Sequence, residues 1–159
     1  MAYTHADGRI IFAVTQKFQA KAGSAVKAGD LVGNSYAALS AGVVPATQVT
    51  TATIAITQAA WAVALEDIAA AAWGWCALAV EIKDPDTIST SGGTVTKGSL
   101  ALTADIMAKL YLGTGGEATS TAPTASSGVV KQYVGYVLND DRILLAPTMT
   151  MEYILPAVS

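Results

Sequence analysis

Lys27-Ala28-Gly29-Asp30-Leu31-Val32, followed by Trp61-Ala62-Val63-Ala64-Leu65-Glu66-Asp67, is the pair of segments on which the reading of this chain turns. Each joins strand chemistry to turn chemistry. Gly29 supplies a permissive backbone, Asp30 can accept from local N–H groups, and Leu31-Val32 opens a strand. Trp61 to Leu65 is a short apolar strand that stops at two carboxylates. Lys97-Gly98-Ser99-Leu100-Ala101-Leu102, followed by Val134-Gly135-Tyr136-Val137-Leu138-Asn139-Asp140, has the same rhythm. The lysines are offset by 70 (97 − 27) and the strand-like runs by 73 (134 − 61), so 21–159 reads as a single β domain with a weak internal duplication, 27–67 against 97–140.

Outward from these segments the chain is rich in strand signals. Arg9 to Val14 and Thr15 to Ala20 carry enough β-branched and aromatic residues for one or two short strands, so 1–20 reads either as an N-terminal arm or as the first strands of the body. Thr47 to Ile56 is a Thr-rich, two-faced strand region. Ile68 to Ala72 suits a turn, briefly helical at most, before a strand from Trp73 to Lys83 that Asp84-Pro85-Asp86 ends. Trp73 and Trp75, at i and i+2, share one face of that strand. Gly113 to Gly128 is a low-complexity stretch expected to contribute nothing to a core. Val129 to Leu138 and Arg142 to Ala146 form a hairpin expected to end at Pro147, and Met149 to Leu155 is an apolar, β-like tail.

Composition narrows the role. Hydrophobic residues make up 52% of the 159 and charged residues 13%, against roughly 25% charged in an ordinary soluble domain. So sparse a charge supply favours burying surface between subunits, and a homo-oligomer or a docked protein is expected. A net charge of −3 with scattered cations argues against nucleic acid as a partner. Gln58, Glu66 and Asp67 interrupt the longest apolar region, 52–82, so no segment is expected to span a membrane. The start, Met1 to Arg9, has Asp7 and no apolar run after a basic opening, as expected of a chain made in the cytoplasm.

Catalytic patterns do not assemble. His5 is the only histidine, so a Ser/His/Asp triad, a Cys/His pair or a two-histidine metal site is not expected within one chain. Cys76, the only cysteine, reads as a small buried hydrophobe. The acids Glu66-Asp67, Asp84/Asp86 and Asp140-Asp141 sit at expected turns, where solvated carboxylates are ordinary. Gly113-Thr114-Gly115-Gly116 lacks the Gly-Lys-Ser/Thr of a phosphate loop. Lys83 precedes Asp84-Pro85 and a long loop, unlike the modified lysine at the hairpin tip of a lipoyl or biotinyl carrier. Neither an enzyme nor a cofactor is expected. Trp61, Trp73 and Trp75 fit core or subunit-interface packing, with a sugar-stacking platform as the alternative.

The turn at 27 to 32, the strand at 61 to 67 and the second set at 97 to 138 together resemble the small Ala/Gly/Thr-rich capsid decoration, or cement, proteins of tailed bacteriophages. The resemblance runs from about residue 26 to 146 and lies in rhythm and composition; a longer Trp-rich middle and the 113–128 loop depart from it. It implies an all-β domain, a small β-barrel or sandwich (β-tulip-like) with an extended N-terminal arm and little helix. It also implies trimeric knobs on the outside of a virion that bind the major capsid protein and stabilise the shell. Ile10, Ile11, Phe12, Phe18, Trp73 and Trp75 are the candidate capsid or subunit contacts. A carbohydrate-binding module on a virion or cell surface, and a tail or tube subunit, are the rival readings.

Overall fold

Strand alternation dictates two layers, and the computed structural model of the chain has them. It describes residues 2–4, 10–13, 15–34, 48–54, 59–83, 107, 109–115, 117–119, 122–124, 129–139 and 142–153. Five strands close into a barrel: β3 (Lys17–Ala22), β4 (Leu31–Asn34), β5 (Gln48–Thr51), β6 (Ala60–Ala64) and β7 (Trp73–Ala77), in the order β3-β5-β4-β6-β7. Seven more form a second sheet: β1 (Ala2–Thr4), β2 (Ile10–Ala13), β8 (Val80–Lys83), β9 (Lys109–Leu112), β10 (Ala118–Thr119), β11 (Val130–Asn139) and β12 (Arg142–Tyr153). Their order is β1-β2-β8-β12-β11-β9-β10. The protein is all-β, with no helix among the described residues.

The alanines that lower the expected bulk of the core are what let so few strands close. Ala20, Ala22, Val32, Val49, Ala62, Ala64 and Cys76 form one buried cluster with Val26 and Ile68. A five-stranded barrel encloses little space, so its inward positions need small side chains. Alternate residues of the same strands, Leu31, Val63 and Ala77, point the other way and pack with Ile11, Val80, Ile82, Leu110, Leu112, Val134, Ile143 and Leu145 of the sheet. That second cluster joins barrel to sheet.

The barrel carries an internal two-fold repeat. Val26 and Ile68, 42 residues apart (68 − 26), bridge to each other. Each opens a turn, with Asp30 N donating to Lys27 O and Ala72 N donating to Ala69 O. Ala64 N donates to Asp30 O as Ala22 N donates to Ala72 O, and Gly29 N to Ala64 O as Ala71 N to Ala22 O. The ladders repeat the relation, with Leu31 opposite Val63 and Val32 opposite Ala62, then Trp73 opposite Lys21 and Gly74 opposite Ala20. The position needing a left-handed backbone is glycine in one copy, Gly29 at φ 86°, and alanine in the other, Ala71 at φ 64°. This repeat has its own offset and lies within the barrel. Of the segments compared in the sequence, 97–102 lies outside the described residues, and the runs at 61 and 134 belong to different sheets.

Three local expectations need correction. Trp73 to Lys83 is two strands, because the chain leaves the barrel after Ala77 and enters the sheet at Val80. The hairpin does not end at Pro147: β12 runs on to Tyr153, and a register shift between Tyr133/Gly135 and Leu145/Thr150 takes up the proline. Within 113–128, Glu117 and Ala118 are buried, and β10 pairs with β9. Glu117 makes this possible by accepting from Thr114 N at 3.0 Å and Gly115 N at 2.7 Å.

At the N-terminus β2 pairs with both β1 and β8, and β3 pairs with β7 and β5. Gln132, 1% exposed on β11, ties sheet to barrel: its Oε1 accepts from Ala60 N at 2.9 Å, and its Nε2 donates to Ala60 O and Pro147 O at 2.6 Å each.

Candidate functional site

The outward faces of β3 and β7 form one surface. The register sets Gln19 opposite Trp75 and Lys21 opposite Trp73. Alternation then places Lys17, Gln19 and Lys21 on the same side as the two indoles, while Phe18, Ala20 and Ala22 turn inward. Trp73 is 58% exposed, one of two large hydrophobic residues so open among the described residues. Trp75 is half-buried against the core, with the Lys17 ammonium 4.8 Å from its ring centroid. Between the indoles Gly74 has no room for a Cβ, because the Ile68 side chain occupies that space. Glu66 Oε1 accepts from Trp75 N at 2.9 Å, which fixes the strand end.

Beside this face lies an open recess of about 310 Å³ lined by Gln16, Phe18, Gln19, Trp61 and Leu78. Phe18 stacks on Trp61 with ring centroids 5.1 Å apart and planes at 15°. A bulge makes this contact: the β4 register passes from Val32 opposite Ala62 to Gly33 opposite Ala60, leaving Trp61 as the extra residue. A bulged residue is re-aimed relative to its neighbours. The Trp61 indole N–H is buried and has no hydrogen-bond partner among the described residues.

The candidate contacts from the sequence do not converge. Ile10 pairs with Lys83 through the β2 backbone. Ile11 is fully buried in the core, so it is a packing residue and offers no contact surface. Phe12, half-buried, sits opposite Glu81 on the large sheet. Phe18, Trp73 and Trp75 do share one region of the barrel. Sequence reasoning passed over Lys17, Gln19 and Lys21, although polar residues alternating with Phe18, Ala20 and Ala22 are the signature of a half-exposed strand. Nothing in the sequence signals the Phe18–Trp61 stack.

A second aromatic and cationic group lies on the sheet. Tyr111 and Tyr133 face each other across β9 and β11 at 4.9 Å, with Lys109 4.7 Å from the Tyr133 centroid and Lys131 5.6 Å from both rings. These lysines cover the tyrosine rings.

The polar groups in the interior serve the backbone. Asp30 accepts from Lys27 N and Asp67 from Ala28 N, each at 2.9 Å. Asp30, read as an acceptor for local N–H groups, does this while 4% exposed, whereas Asp67 is exposed, as expected of an acid at a turn. Among the described residues no group of three or more His, Cys, Asp or Glu could hold a metal ion. Burial, with Glu66 adding to it, pushes the Cys76 thiol up to about 12, so it stays protonated and poorly nucleophilic. His5, Asp84, Asp86, Asp140 and Asp141 lie outside the described residues. The arrangement offers a rigid aromatic surface suited to contact. No protein-family model, curated protein or solved structure matches the chain.

Proposed function

We propose that this chain is a structural protein of a tailed-phage virion that binds the outside of the capsid and stabilises it, acting by contact and not by catalysis. The observation that carries the reading is the exposed Trp73 on a two-strand face beside lysines and a glutamine. Such aromatic residues dominate binding energy at protein interfaces. The sequence rhythm shared with decoration proteins supports the same assignment, and the partner it names is the major capsid protein. A trimer of this chain is part of the proposal, made in the host cytoplasm and ending on the capsid surface.

The energetics suit many copies. If each subunit buries on the order of 1,000 Å², transfer at about 25 cal/mol per Å² gives a gross term near 25 kcal/mol, most of it consumed by ordering and association. The small surplus accumulates over a shell because opening it breaks many contacts at once.

A carbohydrate-binding module is the second reading, favoured by the open indole of Trp73 with Lys21 opposite it and Gln19 on the same face. The Lys17 ammonium over Trp75 weighs against it, since it covers the second ring that a sugar platform would use. The test is density-gradient co-migration with capsids assembled from the major capsid protein of the phage whose genome encodes this chain. Co-migration and a raised capsid disassembly temperature are expected. Failure to co-migrate overturns the proposal, and glycan binding that depends on Trp73 establishes the alternative.

A further inference from the structure

The cations of this acidic chain are unevenly placed. Sequence positions 8–29 hold Arg9, Lys17, Lys21 and Lys27 and no Asp or Glu, although Asp and Glu outnumber Lys and Arg by 12 to 9 in the whole chain. Lys17, Lys21 and Lys27 are all exposed. β3 carries the first two onto the face that also bears Trp73. Lys17 and Lys21 thus stand beside an exposed indole on a protein of net charge −3.

That pattern selects among occupants. Two copies of this face packed on each other about a two-fold axis would set lysine against lysine, a like-charge contact that costs stability. A neutral glycan would leave the lysines without counter-charges. We propose that the Lys21–Trp73 face docks an acidic protein surface, with a carboxylate meeting Lys21 and an apolar side chain lying on Trp73. The inference rests on the particle-binding reading and names the chemistry of the shell surface that reading requires.

The test uses the full chain and an alternating glutamate–leucine peptide, followed by tryptophan fluorescence. Salt at about 0.01 M and about 1 M changes the Debye length from about 30 Å to about 3 Å. Saturable binding at low salt that fades at high salt is expected, with Lys21→Glu and Trp73→Ala each weakening it about tenfold or more. Both side chains are exposed, and unchanged melting temperatures verify that the variants fold; Lys21→Gln serves as the milder variant. Absence of binding at low salt, or variants that bind like the parent, overturns the inference. Equal binding of the lysine–leucine counterpart also overturns it, and equal binding of an oligothymidylate makes the face a general polyanion site and overturns the protein-surface assignment. Capsid co-migration separates the two levels: a chain that ignores the peptide yet co-migrates with capsids loses this inference and keeps its proposed function.

Discussion

Replacing Gln132 by leucine tests how barrel and sheet are joined. The substitution keeps an unbranched-to-branched side chain of similar size in a site 1% exposed, while removing hydrogen bonds to Ala60 N, Ala60 O and Pro147 O. Each of the three backbone groups left without its partner costs about 1–3 kcal/mol, and the leucine offsets part of this by removing the amide's own desolvation and adding apolar burial, so the net loss comes to about 2–4 kcal/mol. Against a domain stability of about 5–15 kcal/mol, that is a large fraction. Urea denaturation reads it directly: with a slope of about 2 kcal/mol per M, the midpoint falls by about 1–2 M at unchanged slope. Trp61, Trp73 and Trp75 are the only tryptophans and all lie on barrel strands, so fluorescence follows the barrel while circular dichroism follows both layers. Gln132→Glu adds a pH signature. Burial raises that carboxyl above its ordinary value of about 4.3, the folded state then holds more protons than the unfolded chain, and the variant gains stability as pH falls through the raised value towards the ordinary one. A loss below about 0.5 kcal/mol for Gln132→Leu would refute the reasoning, because that is the range of an unremarkable surface change.

Further outcomes follow from other positions. Ala71→Gly relieves a left-handed alanine and is expected to stabilise by about 0.5–1 kcal/mol, while Gly29→Ala at the equivalent turn destabilises by a similar amount or more; thermal melts of both check the sign. Cys76 should resist a thiol reagent in the folded protein and react once denatured. Its folded pKa is raised from 9.0 to about 12, so its contribution to stability is complete below pH 9.0 and is lost as pH climbs towards 12; the parent should lose stability faster than Cys76→Ala across that window, and parallel curves would count against the assignment. Deleting residues 1 to 18 removes β1, β2 and the start of β3 and is expected to abolish cooperative folding, with Ile11→Ala alone costing about 2–5 kcal/mol; a folded, soluble truncation would favour the arm reading.

The strands are legible where a single alternation governs them: Thr15 to Ala20, Trp61 to Leu65 and Val129 to Leu138 each overlap a strand, β3, β6 and β11, with the ends displaced. The change of sheet between Ala77 and Val80 is not legible, because alternation has the same period in either sheet and a strand that crosses between them leaves no mark in the pattern. Pro147 misled for a related reason: a proline stops a regular ladder, and only the long-range pairing of β11 with β12 shows that the ladder shifts register there. The two-fold repeat in the barrel is carried by backbone bonds around Val26 and Ile68, and its side chains diverge as far as Leu31 against Trp73. Of the candidate contacts, Trp73 was legible as part of a one-faced pair, whereas Ile11 fell to the core because apolar character alone does not tell an interface from an interior. Lys21 acquires meaning only from the strand placed opposite it.

Electron cryo-microscopy of the phage particle proposed to carry this chain is the decisive measurement. The account predicts a β-barrel and seven-stranded sheet in repeated density on the outer surface of the shell, with the Lys21–Trp73 face turned towards the major capsid protein. Density for the chain confined to the tail, or a shell surface without it, would contradict the account.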